Sequence, residues 1–207
     1  MRRQAKIVYA PHPGIAMVQK WVKGLKDQTG KSLDEWLIFV RKKGPADEAG
    51  RRDWLKKEHG LGTNSAWWIA ERSFGRGLED DDPELYLKAA EKYVEAMFAG
   101  KKVGLMPLYE ELLSLCYALG KDVKVSPGKT IVSIYRNHVI AQVKPASTTR
   151  IDFGLALGTT KITTKRLIDT GGLAKKDRIT HRFAIENLND IDATVARWLG
   201  VAYKRDA

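Results

Sequence analysis

One short turn carries the clearest chemical signal in this sequence. It follows a basic stretch and places lysines, glycines and small polar residues close together in the chain: Lys56, Lys57, Gly60, Gly62, Thr63 and Asn64. Glycine lets a backbone approach a ligand closely, and free amides at the start of a helix bind phosphate. The pattern therefore predicts a phosphate contact made by backbone amides, with the two lysines nearby.

The stretch 55–69 resembles the helix-hairpin-helix motif. Its Gly-Leu-Gly tripeptide is followed by three residues and then by Ala66 and Ile69. In that family the turn holds the phosphate backbone of DNA without reading the base sequence. The resemblance implies that residues 60–64 contact nucleic acid. The structural alternative is an ordinary helix stop and restart, in which Ala66 and Ile69 only pack.

The distribution of charge favours a polyanionic partner. The formal net charge is +11, and residues 101–207 contribute +8 of it, from 18 Lys and Arg against 10 Asp and Glu. A localised basic field attracts polyanions, whereas a scattered one mainly aids solubility. In this half, the cations predicted to contact a nucleic-acid backbone are Lys144, Arg150, Lys161, Lys165 and Arg166. A solvated basic surface without a partner is the simpler alternative.

Gln142-Val143-Lys144 provides an enzymatic alternative, a divergent metal-dependent nuclease. Nucleases of the PD-(D/E)xK type place an acid or glutamine two residues before a lysine on a strand, where the pair binds metal and activates water. The upstream acid of this alternative is Asp122. Pro145 follows the lysine directly and departs from the pattern, and a glutamine and a lysine alternating on a strand are common.

Other catalytic chemistry lacks a complete motif. The four histidines are widely spaced, and Cys116 is the single cysteine, which excludes an internal disulfide and a cysteine-based zinc site. Two Gly-Lys-Ser/Thr triplets lack the earlier glycine that a phosphate-binding loop requires. The sequence thus favours a non-catalytic protein without a metal or a cofactor.

Trp67 and Trp68 suggest a third possibility, a protein-interaction module whose tryptophans form a partner surface. Adjacent residues on a helix point about 100° apart, so at most one of these two indoles is expected to lie fully in the core. The other could stack on a base or pack against protein, and burial at an interface is the simpler expectation.

The elements that position these residues form two different halves. Apolar residues at three- and four-residue spacing predict helices in the first half, including one that begins at the capping box Ser32-Leu33-Asp34-Glu35, one that starts at Pro45 and one over residues 63–74. Asp82-Pro83 begins a further helix, and another covers residues 107–119.

β-Branched residues in alternation predict strands in the second half. The predicted strands are Thr130–Arg136, Val139–Lys144, Arg150–Leu157 and Arg178–Glu186, and a helix over residues 191–203 follows them. Asn137-His138 is a plausible hairpin turn. The fold class is therefore predicted as α+β, with a helical N-terminal domain before an antiparallel sheet flanked by helices. The predicted boundaries are 1–78 for the helical domain, 79–104 for an acidic linker and connecting helix, and 105–207 for the α+β domain.

Two families of uncharacterised domains resemble the two halves. Residues 29–74, through the capping box and the stretch from Trp54 to Gly62, are similar to the bacterial helical family called domain of unknown function 4287. The chain from Leu108-Tyr109 through Thr130-Ile131-Val132, Gln142-Val143-Lys144-Pro145 and Arg182-Phe183-Ala184-Ile185 resembles domain of unknown function 5655. The resemblance implies a two-part protein and supplies no catalytic residue.

Composition predicts a soluble cytoplasmic protein with no membrane partner. The apolar stretch Ile7-Val8-Tyr9-Ala10 ends at Pro11 and is too short for a signal-peptide core, and no run of 18 apolar residues occurs. Protein partners and oligomeric state stay open at this point.

Overall fold

A computed structural model describes residues 7–207 of the chain. The α-helices of this part are α1 (Gly14–Thr29), α2 (Leu33–Lys43), α3 (Glu48–His59), α4 (Thr63–Ser73), α5 (Pro83–Met97), α6 (Met106–Tyr117) and α7 (Ala193–Arg205). The strands are β1 (Lys124–Pro127), β2 (Val132–Tyr135), β3 (Val139–Pro145), β4 (Ile151–Leu155), β5 (Ile168–Asp169) and β6 (His181–Ile185). Short 3₁₀ helices cover Leu78–Asp80, Gly100–Leu105 and Leu188–Asp190.

The chain forms two compact units. The helical unit is Pro11–Tyr86, and the sheet unit is Leu87–Ala207 together with the described residues 7–10. Helices precede a six-stranded antiparallel sheet, so the predicted α+β class is confirmed. The predicted linker at residues 79–104 and the domain limits on either side of it stay predictions.

The helical unit is built on local capping signals and a small apolar core. The capping box is confirmed, since the Ser32 hydroxyl accepts from the Glu35 amide and the Glu35 carboxylate accepts from the Ser32 amide at 2.6 Å. The third helix begins at Glu48 and not at Pro45, because the Asp47 side chain caps it by accepting from the Gly50 amide. The fully buried apolar side chains of this core include Leu25, Val40, Leu55 and Ile69.

The sheet has the strand order β1-β2-β3-β4-β6-β5, with antiparallel neighbours throughout. Side chains alternate across it, so Val143 is buried while its neighbours Gln142 and Lys144 point to the opposite face. Helix α7 packs on β3 and β4 and contributes Trp198 and Leu199 to the core. The face that carries Gln142 and Lys144 is the one available for a site.

Two strands, β1 and β5, were not predicted from the sequence. β1 is only four residues long and ends in proline, and β5 has two residues, so neither shows a full alternating pattern. An isolated parallel bridge joins Tyr9 to Val125, and the Ala10 amide donates to the Val125 carbonyl at 2.8 Å. Residues 7–10 therefore extend the sheet unit beside β1.

Asp206, the residue after α7, binds the hairpin turn between β2 and β3. This carboxylate is buried and accepts hydrogen bonds from the amides of Asn137 and His138 at 2.9 and 2.7 Å. The His138 ring lies 2.9 Å from it, and Arg178 donates to it as well. Burial raises the pKa of Asp206, but the His138 and Asn137 hydrogen bonds and the Arg178 charge outweigh burial, so the pKa lies below the usual aspartate value.

Replacing Asp206 by alanine is expected to destabilise the sheet unit by about 2 kcal/mol at neutral pH. A carboxyl whose pKa is lower in the folded state stabilises fully above its unfolded pKa of about 4, and this contribution disappears as the pH falls through the folded pKa. The difference between wild type and Asp206→Ala should therefore shrink below about pH 4. Denaturant unfolding between pH 7 and pH 2.5 measures it, with Glu186→Gln at an exposed position as the control. A difference that is constant with pH would contradict this role.

None of the helices among the described residues has the length and apolar character needed to cross a bilayer. Cys116 is fully buried in the sheet unit's core, and burial raises the pKa of its thiol to about 12. The thiol therefore stays protonated at neutral pH and has the character of a small core residue.

Candidate nucleic-acid interface

The Gly-Leu-Gly turn joins α3 to α4 in a left-handed conformation. Gly60 has a φ of +65°, which favours glycine, and it ends α3. The amides of Gly60 and Leu61 donate to the Leu55 carbonyl, so these two donors are satisfied inside the protein. The Leu61 side chain is buried and anchors the turn to the core.

The amides that follow the turn remain open. Gly62 is the N-cap residue of α4, and no side chain makes a capping hydrogen bond to this helix. Among the described residues, no backbone carbonyl accepts from the amides of Gly62, Thr63 or Asn64, and all three residues are exposed. Lys56 and Lys57, in the last turn of α3, are exposed as well. The turn can therefore present donors and cations to solvent.

A second basic feature lies in the sheet unit, in a cavity of about 570 Å³ that we call the lysine cavity. Four lysines line it: Lys101, Lys102, Lys129 and Lys144. The other lining residues carry apolar or hydroxyl side chains, and they are Ala96, Met97, Ala99, Thr130, Pro145, Ala146 and Thr148. None of these eleven residues is acidic. The cavity therefore gathers four positive charges without a carboxylate among the residues that line it.

Three separate segments bring these lysines together. Gly100, with a φ of +60°, begins the 3₁₀ helix after α5, and this helix carries Lys101 and Lys102. Lys129 lies in the turn between β1 and β2, which is closed by a hydrogen bond from the Gly128 amide to the Ile131 carbonyl. Lys144 lies near the end of β3. The register of the sheet thus places residues that are far apart in sequence around one cavity.

The four lysines are not equally free. The Lys102 ammonium donates to the Pro145 carbonyl at 2.8 Å and fixes the 3₁₀ helix to the end of β3. The Lys129 ammonium lies 6.0 Å from the centre of the Tyr93 ring. No ion pair of the described residues includes Lys101, Lys129 or Lys144. These three exposed ammonium groups are therefore available to bind an external anion.

The other cations predicted for this half lie elsewhere. Arg150 donates to Asp152 at 3.0 Å, and Arg166 donates to Asp192 at 2.7 Å and to the Asp190 carbonyl. Both guanidinium groups thus have partners within the chain. Lys161 and Lys165 are exposed and do not line the lysine cavity.

The structure therefore joins one predicted cation, Lys144, to three lysines that sequence reasoning missed. A signal for them was present in the chain, since Lys101 and Lys102 follow a glycine and Lys129 lies in a Gly-Lys-Thr turn. Nothing local in either stretch indicates that the two belong to one cavity.

The residues of the nuclease alternative divide between two places. Gln142 and Lys144 line a second cavity, of about 490 Å³, on the open face of the sheet. Asp122 is not among its lining residues and accepts from Arg136 and from the Tyr203 hydroxyl, each at 2.8 Å. These two hydrogen bonds hold the pKa of Asp122 below its usual value.

Asp152 is the carboxylate that lies nearest in register to this pair, directly across from Lys144 on β4. It also lines the second cavity, and it accepts from both Arg150 and Arg182. Within residues 7–207, no group of three or more His, Cys, Asp or Glu side chains is placed to hold a metal ion.

Comparison with known proteins identifies both halves as uncharacterised domains. Residues 94–205 match the family described as Domain of unknown function (DUF5655), and residues 18–72 match Domain of unknown function (DUF4287). These matches confirm the two resemblances found in the sequence. No curated protein and no solved structure gives a significant match.

Proposed function

We propose that this chain binds nucleic-acid backbone without reading base sequence. The chain belongs to the family Domain of unknown function (DUF5655), whose description states no activity. The proposal is therefore based on the geometry of the chain. The proposal is for a binding protein and not for an enzyme. It includes a cytoplasmic location, where nucleic acid is accessible.

The lysine cavity is the observation that carries this proposal. Phosphates bear one negative charge each and are spaced regularly along a nucleic acid, so a cluster of lysines without a carboxylate complements them. Lysine is a compact point charge with three donors, which suits a phosphate oxygen in many geometries. A contact of this kind fixes position on the backbone and carries no information about base sequence.

The charge of the whole chain and the Gly-Leu-Gly turn agree with this function. The net charge of +11 attracts polyanions over a distance of about one Debye length, roughly 8–10 Å at physiological salt. The turn adds exposed amides between residues 62 and 64 and two exposed lysines. The turn is a second proposed contact with the phosphate backbone.

Salt dependence is the decisive property of such a site. If Lys101, Lys129 and Lys144 each neutralise one phosphate, the logarithm of the affinity should fall with the logarithm of the salt concentration with a slope of about −2.7 for duplex DNA. Between 50 and 200 mM salt this corresponds to a loss of about 40-fold. Fluorescence anisotropy with two labelled duplexes of unrelated sequence measures it, and both duplexes should give the same affinities.

Three outcomes would overturn the proposal. The first is an absence of binding at 50 mM salt, and the second is an affinity that does not change with salt. The third is cleavage of the labelled strand when magnesium is added, which would favour the nuclease alternative over simple binding.

A further inference from the structure

Two adjacent tryptophans on α4 have opposite environments. Trp68 lies against Trp21, with ring centres 4.8 Å apart, and the Trp21 indole donates to the Ser65 hydroxyl at 2.8 Å. Trp67 keeps 45% of its surface exposed. Among the residues that the structure describes, no other aromatic ring stacks on it. One face of a large aromatic ring is therefore available to a ligand.

Trp67 forms one wall of a cavity of about 430 Å³ between α3 and α4. The other residues that line this cavity, which we call the tryptophan cavity, are Ala49, Arg52, Asp53, Lys56 and Thr63. All of them belong to the helical unit, and the volume falls within the usual range of small-ligand sites. Trp67 thus lines a half-open pocket and does not lie on a flat surface.

The cavity combines this ring with two cations. Arg52 and Lys56 are four residues apart on α3 and therefore lie on the same face of the helix. No ion pair of the described residues includes either of them, and like charges at this spacing destabilise a helix when no anion lies between them. Asp53 is the one acidic residue of the lining, so the cations exceed the anions by one.

An aromatic ring beside a net positive charge fits a nucleotide whose base is not paired. The ring offers a surface for the flat face of the base, and the cations neutralise the adjoining phosphate. Bases of a duplex are stacked on each other, so they cannot stack on a protein ring without leaving the helix. Single-stranded nucleic acid exposes these faces and has no such cost.

We infer that the tryptophan cavity binds single-stranded nucleic acid by stacking one unpaired base on Trp67, with Arg52 and Lys56 holding the neighbouring phosphate. This inference rests on the proposed function and adds a preference to it. The lysine cavity binds backbone of either form, and the tryptophan cavity adds affinity for single strands alone.

Two substitutions separate stacking from mere apolar contact. Trp67→Leu keeps an apolar side chain but removes the aromatic face, whereas Trp67→Phe keeps a smaller aromatic face. Binding of a labelled thymidine homopolymer and of a labelled duplex is measured by anisotropy at 50 mM salt. Trp67→Leu should lower the affinity for the single strand by about 5- to 100-fold and leave the affinity for the duplex unchanged. Trp67→Phe should retain most of the single-strand affinity.

Ile38→Ala is the matched control, because Ile38 is an exposed apolar residue of the same unit and does not line the cavity. This variant should bind both nucleic acids as the wild type does. Circular dichroism melting of each variant establishes that the fold is retained, and Trp67→Phe keeps the test valid if Trp67→Leu does not fold.

The results distinguish a failure of this inference from a failure of the proposed function. If the wild type binds duplex and single strand alike and Trp67→Leu changes neither, stacking is overturned and backbone binding stands. Equal losses for both nucleic acids would also overturn it. If the wild type binds neither at low salt, the proposed function itself fails. A protein partner at Trp67 would give wild-type DNA binding by Trp67→Leu.

Discussion

Replacing Lys101, Lys129 and Lys144 together by alanine is expected to weaken nucleic-acid binding by about 100-fold at low salt. Each of these ammonium groups is exposed and has no carboxylate partner among the described residues, so each is available to a phosphate. The salt dependence for a duplex should become shallower, with the magnitude of its slope reduced by about 2.7, because the contacts of three lysines with phosphates are lost and their counterions are no longer released. Lys102 is kept, since its hydrogen bond to the Pro145 carbonyl supports the fold of the cavity.

The matched control removes three lysines that lie outside the cavity. Lys121, Lys124 and Lys204 are exposed residues of the same unit, and their replacement by alanine also lowers the net charge from +11 to +8. This control should lose far less affinity than the variant of the lysine cavity. Equal losses in the two variants would mean that total charge, and not the cavity, determines binding. Anisotropy titrations at 50 and 200 mM salt provide both the affinities and the slopes.

Asp81→Ala is expected to destabilise the helical unit by about 3–5 kcal/mol. Its carboxylate accepts from Arg72 at 2.7 Å, and the Arg72 side chain is almost completely buried, with 1% of its surface exposed. Removing the carboxylate leaves a buried guanidinium group without a counter-charge, and desolvated charge is costly. The Asp81 carbonyl still accepts from Gln19, so the loss is confined to the side chain.

Arg72→Met provides the contrast that identifies the mechanism. Replacement of a buried charge by an apolar side chain of similar size is often close to neutral, and Asp81 is partly exposed and can be hydrated once its partner is gone. We therefore expect Arg72→Met to cost much less than Asp81→Ala, and the double variant to resemble Arg72→Met. Five of the six tryptophans lie in the helical unit, so tryptophan fluorescence in a denaturant titration follows its unfolding. Equal destabilisation by the two single variants would contradict the prediction.

The Arg72 and Asp81 pair also bears on the candidate interface. Arg72 lies on α4, the helix that starts at the Gly-Leu-Gly turn and carries Trp67. Its ion pair attaches this helix to the chain just beyond the 3₁₀ helix Leu78–Asp80. A loss of this attachment should therefore disturb the turn and the tryptophan cavity together, while the lysine cavity belongs to the other unit.

Local patterns in the sequence determined most of the secondary structure. The Ser32 and Glu35 capping box, the helix stop at Gly60 and the hairpin between β2 and β3 depend on residues within a few positions of one another. The hydrogen bonds and backbone angles involved are local, so their sequence signals are local as well. Prediction from local patterns failed at β5, because its two residues are too few for an alternating pattern.

Only the tertiary structure decided which residues share a site. Helix geometry implies that Trp67 and Trp68 point apart, but only the tertiary structure shows that Trp68 is half-buried against Trp21 while Trp67 stays exposed. Likewise, the sheet register brings Lys129 and Lys144 to one cavity with Lys101, whereas Arg150 meets a carboxylate within the chain. Such convergence depends on strand register and long-range packing, which are properties of the whole sheet, and no short stretch of sequence specifies them.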